Sequence, residues 1–143
     1  MRVTGPGAIA VHTVDPVESE PGATVRVRVT SAGICGSDLH LMAMGAPRVT
    51  VGHEIAGVGE DGMPVAIEPL VSCGECDGCR RGDRQQCREL MKGIYGIARD
   101  GGMADDIVVA AQCVVPLPET IDPADASLVE PLAIAVHLSL IHI

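Results

Sequence analysis

Four cysteines lie close together in Cys73-Gly-Glu-Cys76-Asp-Gly-Cys79, with Cys87 following after seven residues. Four thiolates at this spacing can close a tetrahedral shell around zinc, leaving no open position for a reaction. Gly74 and Gly78 let the backbone turn tightly enough for the sulfurs to converge. The segment 72–90 holds almost no apolar residues, so metal binding must supply its folding free energy, on the order of 10 kcal/mol. An iron–sulfur cluster is the competing use of four cysteines and would make the protein brown. The bacterial ferredoxin run, however, brings its last cysteine sooner and follows it with proline, whereas Arg88 stands here. Two disulfides are a weaker alternative in a chain that the sequence otherwise assigns to the cytosol.

A second group of metal-ligating types is dispersed: Cys35, the pair His53-Glu54, and Glu130. A catalytic zinc takes about three protein ligands and keeps one position open for substrate or water. A thiolate, an imidazole and a carboxylate satisfy that need if the fold brings them together. Singly, each has an ordinary reading: Cys35 as a small buried hydrophobe, His53 as a core histidine, Glu130 as a solvated helix residue.

The ordered run of motifs resembles the zinc-dependent medium-chain dehydrogenases, most closely the sorbitol and threonine dehydrogenases. The motifs are Gly33-Ile-Cys-Gly-Ser-Asp-Leu-His40, Gly52-His-Glu54, Glu68-Pro-Leu-Val-x-Cys-Gly-x-Cys-x-x-Cys79 and Glu130-Pro-Leu-Ala133. The resemblance implies a GroES-like, partly open β-barrel carrying one catalytic and one structural zinc. It also implies an oxidoreductase of alcohols or polyols in which zinc acidifies the substrate hydroxyl and hydride passes to NAD or NADP. Carried over by position, Cys35 and His53 are ligands of the catalytic zinc, and Glu130 stands where sorbitol-type members place a glutamate. Glu54 binds the metal in some relatives and sits behind it in others, so the choice between Glu54 and Glu130 stays open. Ser37 and His40 match the family's proton relay, three residues apart on one side of a short helix. The rival reading is a stand-alone zinc-binding module in which both metals are structural.

The elements that must position these residues are mostly strands. Residues 24–29, Thr-Val-Arg-Val-Arg-Val, alternate apolar and polar and predict a strand with one wet face. Residues 7–14 form a weaker candidate; further strands are expected near 54–58, 64–68 and 107–115. Ser37-Asp38 supplies an N-cap for a helix through about Met44, with Asp38 a first-turn acid and no catalytic group. Asp122-Pro123 reads as the start of a second helix running through Glu130 to about His137. Seventeen glycines and ten prolines spread along the chain indicate many tight turns. With neither Trp nor Phe and only Tyr95 among aromatics, the core must be aliphatic.

A net charge of −9 disfavours nucleic acid as a partner. The one basic cluster, Arg80, Arg81, Arg84 and Arg88, is interleaved with cysteines and acids and reads as a solvated rim. No signal peptide or membrane-length apolar run is visible, so the expected compartment is the cytosol. Gly57-Val-Gly-Glu-Asp-Gly62 matches the dinucleotide-binding fingerprint, but Pro64 and Val65-Ala-Ile67 follow where a helix should open, so Asp61-Gly62 reads as a hairpin turn. The stretch from Gly52 to Cys73 is shorter than in relatives. The expected organisation is a zinc-binding catalytic domain over 1–137, without the dinucleotide-binding domain that would accept the hydride and, in the whole parent, support a homo-oligomer. Residues 138–143, Leu-Ser-Leu-Ile-His-Ile, resemble the translation of a sequencing adapter and are expected to be non-native, which removes His142 as a ligand.

Overall fold

The computed structural model describes every residue except Val17, Pro47 and Ile143. A short antiparallel hairpin, β1 (Arg2–Gly5) and β2 (Ala8–Ala10), precedes a five-stranded antiparallel sheet. That sheet contains β3 (Thr24–Gly33), β4 (Glu54–Gly59), β5 (Pro64–Ile67), β6 (Asp106–Ala110) and β7 (Val114–Pro116), in the order β6-β3-β4-β5-β7. Mostly β and curled into a half-barrel, it has the predicted class.

The alternation at 24–29 does what it predicts, with Val27 fully buried between β4 and β6. The core joins Val27, Ile55, Val65, Ile67, Ile107, Val109 and Cys113 to Tyr95. Tyr95 Oη accepts the Ala110 N–H at 2.8 Å, and burial raises its phenol above the usual range. Tyr95→Phe leaves that N–H without its acceptor and is expected to cost about 1–3 kcal/mol. Urea unfolding reads this as a lower midpoint at unchanged slope.

Asp61-Gly62 is a hairpin turn, as expected. Gly62 takes φ +82, and the Gly59 N–H donates to Met63 O at 2.9 Å, joining β4 to β5. Three expectations need correction. The strand at 7–14 reduces to Ala8–Ala10 and pairs with Arg2–Gly5, a partner whose short polar run carries little signal. The strand at 107–115 is split by a 3-10 turn over Ala111–Cys113, which moves the chain from the β3 edge of the sheet to the β5 edge.

The final helix, α4 (Val129–Leu140), starts well after Asp122-Pro123. Asp122 Oδ1 instead accepts the Ala124 N–H at 2.9 Å and closes a local turn. Residues 138–140 continue α4, and Ile143 lies outside the described residues. No helix among the described residues is long and apolar enough to cross a membrane.

β3 carries a bulge. Val29 faces Gly57 while Ser31 faces the next residue, Ala56, so Thr30 is the extra residue. Thr30 and Ser31 hydroxyls both donate to Pro123 O, at 3.0 and 2.7 Å, and Ser31 Oγ accepts the Ser127 N–H at 3.1 Å. The bulge thereby ties the segment leading into α4 to the strand that leads to Cys35.

Two candidate metal centres

Cys35 lies two residues past the end of β3 and is the N-cap of α1 (Gly36–Ala43), in extended conformation. The cap is therefore two residues earlier than the Ser37-Asp38 pair suggests. Its acceptor is the Asp38 carboxylate, whose Oδ2 takes the Cys35 N–H at 2.9 Å. An acid at the third helical position reaching back to the cap N–H is half of a capping box. The cysteine in place of a cap hydroxyl hides that pattern in the sequence.

His53 and Glu54 lie in an unbroken buried run, Val51 to Gly57. The backbone before them is held by Val51 N–H to Met1 O, Met103 N–H to Val51 O and Gly102 N–H to Gly52 O, at 3.1, 2.9 and 2.9 Å. The β3–β4 register then sets Glu54 opposite Gly33, two residues before Cys35. One donor atom each from Cys35, His53 and Glu54 lies within 4.8 Å of the others.

Behind this group is a residue that the sequence suggests only as a first-turn helix acid. Asp38 is buried, and its Oδ1 lies 3.4 Å from His53 Nδ1; neither atom has a hydrogen-bond partner. A carboxylate behind a histidine fixes the ring and its tautomer, leaving the far nitrogen to face a metal. Asp38→Asn is expected to weaken metal binding at Cys35, His53 and Glu54 by about 10–100-fold, measured by chelator competition.

Glu130 sits half-buried in the first turn of α4, outside that group. Burial raises its carboxyl above the usual range; the nearby His53 acts in the opposite sense and Glu54 in the same sense. It is thus an electrostatic neighbour of the donors. Ser37 and His40 are both exposed on α1, one turn apart.

The second centre is the lobe containing α2 (Asp77–Arg80) and α3 (Leu90–Gly93). The donor atoms of Cys73, Cys76, Cys79 and Cys87 fall within 4.8 Å of one another. Backbone N–H groups of Cys73 and Glu89 point at Cys87 Sγ from 3.3 and 3.4 Å and hold that thiol below its usual pKa. Donors from Cys79 and Arg88 bring Cys76 down to about 6, whereas burial and then the Cys76 sulfur push Cys79 up to about 11. Arg84 departs from the solvated-rim expectation. It is half-buried, donating to Ser72 Oγ at 3.2 Å and pairing with Glu68 at 3.4 Å.

The donor sets suit zinc at both places: four sulfurs in one, and sulfur, nitrogen and oxygen with buried, otherwise orphaned polar atoms in the other.

Residues 21–119 match the model of the alcohol dehydrogenase GroES-like domain. The chain is 37% identical over 140 residues to the L-threonine 3-dehydrogenase of Pyrococcus abyssi, covering 86% of this chain and 39% of the relative. It is also 37% identical over 131 residues to the sorbitol dehydrogenase of Arabidopsis thaliana, covering 79% of this chain and 35% of the relative. Among solved structures, an alcohol dehydrogenase from Escherichia coli CFT073 in complex with NADH superposes with a TM-score of 0.83 at 33% identity. That match covers 94% of this chain and 42% of the other. The chain thus spans well under half the length of these relatives.

Proposed function

The chain belongs to the alcohol dehydrogenase GroES-like domain family, and on that premise we propose that it is the metal-carrying catalytic domain of a zinc-dependent, NAD(P)-linked dehydrogenase of small alcohols or polyols. The observation that carries the reading is the convergence of Cys35, His53 and Glu54 in front of the buried Asp38. Three mixed donors leave room for substrate, unlike the four sulfurs of the lobe.

Cys35, His53 and Glu54 would hold the catalytic ion, with Asp38 orienting His53. Cys73, Cys76, Cys79 and Cys87 would hold a structural one. When bound at the first centre, zinc supplies Lewis acidity that makes an alcohol easier to deprotonate near neutral pH. The Ser37 hydroxyl would accept that proton while passing its own to His40, which stands exposed one turn along α1 and would release a proton to solvent. Glu130 stays beside the donors as an electrostatic neighbour. Burial, with the Glu54 charge acting in the same sense, favours its neutral form over the charged one. The nicotinamide that accepts the hydride is assigned to a dinucleotide-binding domain, since the glycine run at 57–62 is a hairpin.

Metal analysis of the purified chain tests this. Two zinc ions per chain are expected, one from each donor group, with the ion at Cys35 quickly exchangeable and lost in Cys35→Ala. A single tightly held ion that survives Cys35→Ala would replace the enzyme reading with that of a structural zinc module.

A further inference from the structure

Gly33 ends β3 directly across the ladder from Glu54. A Cβ built on it would overlap Glu54 Oε2 and lie 3.0 Å from both Cβ and Cδ of that side chain. Gly33 is not among the glycines with positive φ, so an L-residue suits its backbone. Its requirement is for space, the close-approach use of a glycine inside a strand. The obstruction is a side chain and not the main chain, in contrast to Gly57, where a Cβ would meet the Arg28 backbone. The strand pair can therefore survive a methyl group at position 33 if the Glu54 carboxylate swings away. Glu54 is buried, and its carboxylate stands with Cys35 and His53 while lying over Gly33.

We infer that Gly33 is a positioning residue for the catalytic metal, its missing side chain being the groove in which the Glu54 carboxylate is laid toward Cys35 and His53. This rests on the proposed reading of Glu54 as a metal donor, and it selects Glu54 over Glu130 through packing. It also explains mechanically why the glycine and Cys35 stand two residues apart. One strand end both presents the sulfur and clears the path of the carboxylate.

The test uses the full chain with zinc retained in the four-cysteine lobe, titrating Co2+ into the second centre. The cobalt d–d bands report coordination and affinity together. Gly33→Ala and Glu54→Ala are each expected to bind Co2+ about 10–100-fold more weakly than the parent chain and to show the same altered bands. The double variant should be no weaker than Glu54→Ala alone, because without the carboxylate the added methyl meets only the Cβ at position 54, at 3.0 Å, a contact relieved by a small shift. Parent-like affinity and bands in Gly33→Ala would overturn the inference, as would additive losses in the double variant. If Gly33→Ala does not fold, a folded double variant supports the inference and an unfolded one overturns it. Parent-like cobalt binding by Glu54→Ala would instead strike at the donor reading beneath, and this inference would fall with it.

Discussion

Replacing Cys87 with serine should lower bound zinc from two ions per chain to one and melt the lobe around Cys73 to Glu89, while the β3–β4–β5 sheet stays folded. The reason is what the lobe lacks. Between Ser72 and Gly93 the buried residues are Ser72, Cys76, Gly78, Cys87 and Gly93, with no aliphatic side chain among them. Its helices are single turns, too short to persist alone. Little remains to offset the chain entropy of ordering these residues once the metal is gone. Structural zinc contributes on the order of 10 kcal/mol in small sites of this type, so losing one ligand decides whether the lobe folds. Serine nearly keeps the size but is not a thiolate, so it cannot supply the fourth sulfur that the Cys73 and Glu89 N–H groups face. Hydrogen exchange with metal analysis reads both effects. A lobe that keeps its protection with one zinc fewer would show that the backbone turns suffice.

Ile55→Ala should be the most costly single truncation in the sheet, at about 2–5 kcal/mol. Ile55 is among the largest fully buried side chains. It stands in the centre of the sheet, facing Ala32 on β3 and Ile67 on β5. A Cβ at Gly102 would lie within 2.6 Å of it, so the loop that carries Met103 is packed flush against it. With no Phe or Trp in the chain to shift into the hole, the cavity stays open. Domains of this size hold about 5–15 kcal/mol in total, so the loss is a large share of the stability. Because Ile55 follows Glu54, metal affinity at the first centre should fall as well. Urea midpoints with and without added zinc measure both effects; an unchanged midpoint would show that the site collapses around the smaller residue.

Much of this arrangement is legible along the chain. The strand at 24–29 declares itself by alternation, a local property, and those at 54–58 and 64–68 by short apolar runs that end up buried on both faces. The same holds for the hairpin at Asp61-Gly62, where the residue type meets the backbone requirement. The misplaced helix start shows the limit. Asp122-Pro123 has the residue types of a helix beginning, but Asp122 spends its carboxylate on Ala124, and the bulged strand at Thr30 and Ser31 takes Pro123 O. Distant donors override a local preference.

The two metal centres divide along the same line. Sulfurs two or three residues apart cannot avoid each other, so the convergence of Cys73, Cys76 and Cys79 follows from chain reach, with Cys87 only a short loop beyond. Cys35 and Glu54 are brought together by the register of β3 on β4, and a slip of one residue would turn every side chain to the other face. That register also lays Glu54 over Gly33, while the fold sets Asp38 behind His53 and leaves Glu130, on α4, outside the donor group. The sequence by itself determined the candidate donors and, through their spacing, the grouping of the four lobe cysteines. Only the tertiary structure decided which carboxylate joins Cys35 and His53, because that depends on the space between two strands, which no spacing along the chain records.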